Sequence, residues 1–129
     1  MHTCAFLEVR HSMSLHIIHS TWDVALARNA TRKLILGQNC SPVLCARAVA
    51  ALAALGELVL LSKSMGTLEI ALTQQEDKLN LALHCTISSP TDLTTALETT
   101  RHQLLRAVDK LAIENMQDRL SISTYLRLA

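Results

Sequence analysis

Histidine and cysteine are the side chains of this sequence with the clearest capacity for metal binding or group transfer. The chain has six histidines and four cysteines. His16 and His19 stand three residues apart at a predicted strand-to-helix junction, and His84 falls on a predicted strand, so these rings could converge. Structural metal sites normally show compact ligand pairs, and no cysteine or carboxylate stands at such spacing here. We therefore expect no metal, and His102, inside a predicted helix, is the candidate for accepting a phosphoryl group.

The cysteines do not have the spacing of a catalytic or redox motif. There is no C-x-x-C pair, no dense disulfide pattern and no secretory segment. A nucleophilic cysteine also needs an adjacent base in an accessible setting, whereas Cys45 and Cys85 fall among apolar residues. We expect reduced thiols in a cytoplasmic protein, with these two cysteines as packing residues.

Glycine and charge exclude several classes of function. The only glycines are Gly37, Gly56 and Gly66, and they have neither the phosphate-loop nor the dinucleotide-binding spacing. Twelve basic residues against eleven acidic ones give a net charge of +1, and the basic residues are scattered along the chain. A nucleic-acid surface would need a basic patch, usually with aromatic residues, so nucleic acid is not an expected partner.

The spacing of apolar residues predicts three helices and four strands. Ser20 with Asp23, and Ser41 with Pro42, are helix-start signals, while residues of alternating polarity indicate strands. The predicted strands lie over 14–18, 67–73, 79–87 and 120–128, and the predicted helices over 21–36, 42–61 and 93–111.

The order β-α-α-β-β-α-β predicts a two-layer α/β sandwich, with three helices on one face of a mixed, mostly antiparallel sheet. We expect residues 1–12 to form a tail or edge element and 13–129 to form a single domain. The segment 42–61 is long enough to cross a membrane. Because Arg47 and Glu57 lie inside it, and charged groups are costly at that depth, a buried central helix is the favoured interpretation.

Three segments of the sequence resemble parts of a known ATPase family. The first segment, STWDVALARNATRKL, carries Asp23, Arg28 and Arg32 at the spacing of that family's first helix. The second resembles the helix and strand that hold the family's first ATP motif and reads SPVLCARAVAALAALGELVLLSKSMGTLEIAL. The third, STYLRL, resembles the family's last strand. The family is the Bergerat-type (GHKL) ATPase domain of gyrases and histidine kinases. Within it the resemblance is greatest to bacterial anti-sigma-factor and switch serine kinases.

The resemblance also indicates where chemistry is missing. It places a glutamate general base at Ala54, a magnesium-binding asparagine at Leu58 and an adenine-binding aspartate near Cys85. The glycine-rich lid has no counterpart, since 90–118 has the pattern of one uninterrupted helix. Glu57 points about 100° round the helix from its neighbour Leu58, so we expect it to replace neither group. The resemblance thus implies a degenerate, non-catalytic member that holds no cofactor.

The leading hypothesis is a non-catalytic regulatory or adaptor protein that binds a protein partner in a bacterial signalling or sigma-factor-type partner-switching pathway. The resemblance implies Asp23, Arg28 and Arg32 as partner-contact residues, although a solvated helix face is the simpler interpretation of the two arginines. Two alternatives remain open. One is a serine or histidine kinase-like enzyme with an ATP site rewired around Glu57, and the other is a homo-oligomer that associates through helix 42–61 or the final strand.

Overall fold

A five-stranded sheet and a layer of three helices make up the fold, which confirms the predicted class. The computed structural model describes residues 9–75, 77–88 and 93–128, and within these ranges all side chains except those of residues 9–12 and 75. The elements are β1 (Val9–Ile18), α1 (Thr21–Leu36), α2 (Pro42–Ser62), β2 (Gly66–Gln75), β3 (Lys78–Ser88), α3 (Thr94–Ala107), β4 (Lys110–Asn115) and β5 (Arg119–Arg127). The sheet order is β1-β2-β3-β5-β4, and every neighbouring pair is antiparallel.

The first two helices begin where their capping residues predict. The Ser20 hydroxyl accepts the N–H of Asp23 at 3.4 Å, and the Asp23 carboxylate accepts the N–H of Ser20 at 3.0 Å. This reciprocal pair satisfies two of the N–H groups that a helix start leaves without partners. Ser41 accepts the N–H of Leu44 at 3.3 Å in the same way, and Pro42 occupies the first turn of α2.

One face of the sheet packs against the helical layer. Every second residue of β3 and β5 is buried, and α2 supplies the centre of the layer, where Leu52, Leu55 and Leu58 are completely buried. The buried strand residues are Leu81, Leu83, Cys85 and Ile87 from β3, and Leu120, Ile122, Thr124 and Leu126 from β5. The apolar core therefore lies between α2 and the middle strands of the sheet.

The third helix is shorter than predicted, and a strand follows it. Helix α3 ends at Ala107, and Leu111 and Ile113 face the core from β4. The spacing was misleading because Val108 and Leu111 continue a helical three-and-four pattern, while Leu111 and Ile113 also alternate as strand residues do. The expectation of one uninterrupted helix over 90–118 is therefore wrong.

Arg47 of α2 explains why α3 ends without a glycine or proline. Its Nε donates to the carbonyl of Ala107 at 3.1 Å, and its second guanidinium nitrogen lies 3.4 Å from Asp109. Asp109 in turn accepts the backbone N–H of Arg127 at 2.7 Å. The last carbonyls of a helix have no partners within it, and here a side chain from another helix supplies one.

The sheet has two edges, β1 and β4. Strand β1 begins at Val9, earlier than the predicted start at residue 14, and residues 1–8 lie outside the described residues. The final strand, β5, lies between β3 and β4. Because both of its edges are already paired, β5 cannot join the sheet of a second copy. Association of two copies through the final strand, one form of the homo-oligomer hypothesis, is therefore excluded.

In the described part of the chain, α2 is also the one helix long and apolar enough to cross a membrane by length and composition. Within this fold, 44% of its most apolar window is buried, and its leucines form the centre of the core. That burial is compatible with a small soluble domain.

Helices α1 and α2 approach closely at Gly56. A Cβ atom at position 56 would lie 2.8 Å and 2.9 Å from the two methyl carbons of Val24. Valine has one strongly preferred rotamer in a helix, so the contact cannot relax by rotation of its side chain. The absence of a side chain at Gly56 therefore sets the separation of the two helices.

We expect Gly56→Ala to lower the free energy of unfolding by about 1–2 kcal/mol because of this overlap, even though alanine is intrinsically the better helix former by about 1 kcal/mol. In a Val24→Ala background the same change should be neutral or stabilising. Urea denaturation of the four proteins measures the coupling. Equal effects of Gly56→Ala in both backgrounds would contradict the steric explanation.

Candidate functional site

The three positions that the resemblance assigns to nucleotide binding all belong to the hydrophobic core, and Ala54, the least buried of them, is 6% exposed. Ala54 lies at a surface groove between α2 and α3. Leu58 and Cys85 are completely buried in the hydrophobic core, and burial raises the pKa of the Cys85 thiol to about 12. Neither side chain can contact a ligand in that groove. Cys85 is a packing residue, as predicted, and Cys45 also packs against the core.

The groove between α2 and α3 encloses about 540 Å³. Its floor consists of alanines on α2, and its polar atoms come from Arg47, Glu57, Gln103 and Arg106. The floor alanines are Ala46, Ala50, Ala53 and Ala54. Methyl side chains offer no hydrogen bonds, so polar recognition in this groove has to come from its rim.

Glu57 also lies in this groove. It points away from the direction of Leu58, as predicted, but it lies three residues after Ala54 and therefore on nearly the same side of α2. Both residues line the groove, and Glu57 is exposed. A carboxylate is thus available close to the position of the expected general base.

A second groove, between α1 and α2, encloses about 580 Å³. It shares Ala46, Ala50 and Ala53 with the first groove, so these alanines form a low crest between the two. We call the combined surface the helical trough. Its residues are Ala46, Ala50 and Ala53 on the crest, Arg32 and Leu36 on the α1 rim, and Glu57, Gln103 and Arg106 on the α3 side.

The three candidate partner-contact residues have different environments. Arg32 lines the trough, and Arg28 lies one turn before it on α1 and is exposed. Asp23 instead belongs to the capping structure of α1. The N–H of His19 donates to its carboxylate at 2.8 Å and, with the N–H of Ser20, holds the pKa of Asp23 below its usual value. The carboxylate of Asp23 is therefore engaged within its own helix start.

The face of the sheet away from the helices carries a polar cluster that the sequence did not single out as a unit. His84 pairs in register with Glu69 on β2 and with Ser123 on β5. Its Nδ1 lies 2.8 Å from the hydroxyl of Ser123, and its Nε2 lies 3.4 Å from that of Ser121. A shallow cleft of about 360 Å³ lies above these residues.

A serine beside an imidazole resembles a nucleophile and its base. A hydrolase also needs a group that orients the second ring nitrogen, and N–H donors for the developing oxyanion. Here the second nitrogen of His84 lies against the hydroxyl of Ser121, and Glu69, the cross-strand neighbour of His84, lines the same cleft.

The three histidines considered for a metal site do not converge. His16 pairs with Leu68, whose side chain faces the core, whereas His84 lies on the opposite face of the sheet. His19 is exposed at the start of α1. Among the described residues there is no group of three or more potential ligands that could hold a metal ion. The hypothesis that His16, His19 and His84 form one site is therefore wrong.

No protein-family model and no curated protein matches this sequence.

The cap at Asp23 predicts a stability effect that depends on pH. Because folding lowers the pKa of Asp23, its contribution is present above the unfolded pKa, near pH 4, and is lost as pH falls through the folded value. We expect Asp23→Asn to lower Tm at pH 7, and this deficit to shrink as the pH falls below about 4. Asp77→Asn, in the turn after β2, controls for the loss of one charge. A deficit that does not change with pH would contradict the capping role.

Proposed function

We propose that this chain is a cytoplasmic, non-catalytic regulatory or adaptor protein of a bacterial signalling or sigma-factor-type partner-switching pathway. In this proposal, a degenerate ATPase domain of the GHKL type serves as a binding surface. The protein acts by occupation: it binds a partner protein and blocks or displaces that partner's other contacts, without transferring phosphate. The resemblance of the first two helices and the last strand to anti-sigma-factor kinases supports this pathway class.

The observation that carries the proposal is the helical trough. Its floor is made of alanine side chains, and its two grooves together run along the outer side of α2. A nucleotide with its magnesium ion needs oxygen ligands and several donors to the phosphates. The alanine floor supplies none, and in the α2–α3 groove such groups are limited to the rim. An open apolar surface of this extent instead suits contact with another protein.

The side chains at the expected catalytic positions support the same proposal. Ala54 ends at a methyl group, so it cannot act as a general base. Leu58 is sealed in the core, so even a polar residue introduced there would not reach a ligand in the groove. ATP hydrolysis by this chain would need a different arrangement from that of the ATPases it resembles.

We expect no phosphate release when the protein is mixed with ATP and Mg²⁺, and no nucleotide binding in the micromolar range. Isothermal titration calorimetry measures the binding, and a phosphate-release assay on the same sample measures the turnover. Micromolar binding together with phosphate release would overturn the proposal.

A second candidate function is supported by the position of Glu57. This exposed carboxylate shares the α2–α3 groove with Arg47 and Arg106, so it could act as a general base beside groups that bind phosphate. Such a protein would be a kinase-like enzyme with a rewired ATP site.

Transfer from radiolabelled ATP to the chain itself or to added proteins distinguishes the two candidates. The rewired-kinase function requires that Glu57→Gln abolish the transfer, while Glu114→Gln, an exposed change on the edge strand β4, leaves it unchanged. We expect no transfer in any of the three proteins, since we propose that the chain is non-catalytic.

A further inference from the structure

The helical trough has room for one additional helix. Packed neighbouring helices have axes about 8–10 Å apart, so a helix packed over α2 on the outside of the layer would have its axis about 11–14 Å from the axes of α1 and α3. A helix with its side chains is about 10–12 Å across. Because the crest between the rims consists of Ala46, Ala50 and Ala53, a fourth helix can lie close to α2 without displacing α1 or α3.

Large apolar side chains are exposed beyond the alanine crest, at positions that continue its three-and-four spacing on α2, and on the α1 rim. Leu36, on the α1 rim, is 67% exposed, and Val43 and Leu61, near the two ends of α2, are 67% and 53% exposed. The middle of the trough is lined by small residues and its ends by large ones. This shape is complementary to a helix that carries its bulkiest apolar side chains at the centre of its contact face.

The charges around the trough are mostly positive. Arg28 and Arg32 lie on the α1 side and Arg106 on the α3 side. Within the described residues, Arg28 and Arg106 form no ion pair, and Arg32 contacts the side-chain oxygen of Asn29 at 3.4 Å. Among these residues, Glu57 is the one carboxylate that lines either groove. The α1 rim is therefore cationic, while on the α3 side Glu57 stands beside Arg106 and Asp109 pairs with Arg47. The trough as a whole carries more arginine than glutamate, and a net positive surface is complementary to a helix with acidic flanks.

A second copy of this chain is a poor match for the same surface. In a two-fold symmetric pair, each trough would face an identical trough. The arginine-bearing rims of the two copies would then approach one another, and like charges at an interface are unfavourable. One glutamate in each copy does not balance the arginines, so the charge pattern favours a different protein.

We propose that the helical trough binds an amphipathic α-helix of another protein, with large apolar residues facing α2 and with aspartate or glutamate on both flanks. The apolar residues of that helix recur at three-and-four spacing, and its acidic residues reach Arg32 on one rim and Arg106 on the other. This inference rests on the proposed adaptor function and specifies the chemistry of its partner.

Two synthetic helical peptides of equal length test this inference. Both carry the same leucine and alanine contact face, and their flanks carry glutamate in one peptide and lysine in the other. Titration of each into the ¹⁵N-labelled full chain shows by NMR where it binds. We expect the acidic peptide to shift the amides of α2 and of the facing sides of α1 and α3, and to bind at least about tenfold more tightly than the basic one.

Charge-reversed variants test whether the arginines on the two rims cause the preference for the acidic peptide. We expect Arg32→Glu/Arg106→Glu to weaken binding of the acidic peptide about tenfold or more and to strengthen binding of the basic peptide. The matched control is Lys33→Glu/Lys78→Glu, which makes the same change in net charge at exposed positions that line neither groove. It should change the affinity by less than about threefold. Circular dichroism of each variant confirms that it is folded.

Equal affinity for the two peptides, or no shift at the trough with either, would overturn the inference. So would trough shifts that depend on protein concentration without peptide, because they would identify a second copy as the occupant. These outcomes are distinct from failure of the proposed function, which is measured separately as phosphate release from ATP.

Discussion

The packing of α2 on three sides is the constraint on which the rest of the structure depends. Its leucines fill the space above the middle strands, and its flanks must accept α1 and α3 at helix-packing distance. Gly56 permits the approach of α1 by leaving space for Val24. Arg47 fixes the approach of α3 by binding the carbonyl at its C-terminus. The helical layer forms because α2 contacts α1 closely at Gly56 on one flank and binds the end of α3 through Arg47 on the other.

In the middle of α2, the residues that face the sheet and those that face outward are both apolar but differ in size. A helix that is apolar nearly all round has little amphipathic signal. Yet Leu52, Leu55 and Leu58 point to the sheet, whereas Ala46, Ala50 and Ala53 point outward. Large residues inside fill the core to high density, and small residues outside leave a trough between the neighbouring helices. The same sequence segment therefore creates both the core and the candidate binding surface.

The elements set by local signals could be predicted, and those set by distant contacts could not. Helix α1 was predicted over its full length because Ser20 and Asp23 cap it from within four residues. The end of α3 depends on Arg47, sixty residues earlier in the chain, and no local pattern reports that contact. For the same reason β4 was assigned to the helix. The sheet register was equally hidden, and it alone places His16 and His84 on opposite faces.

The candidate site was the least predictable part because its charges come from separate helices. In the sequence, Arg32 and Arg106 each fall on the solvent-facing side of a separate predicted helix. The net charge of +1 gives no indication of a basic surface. Packing α1 and α3 on either side of α2 brings these arginines to the two rims of one trough. The trough is formed by the same contacts that hold the helical layer together, so a ligand would meet a surface already shaped for it. Pre-formed surfaces of this kind need little rearrangement on binding.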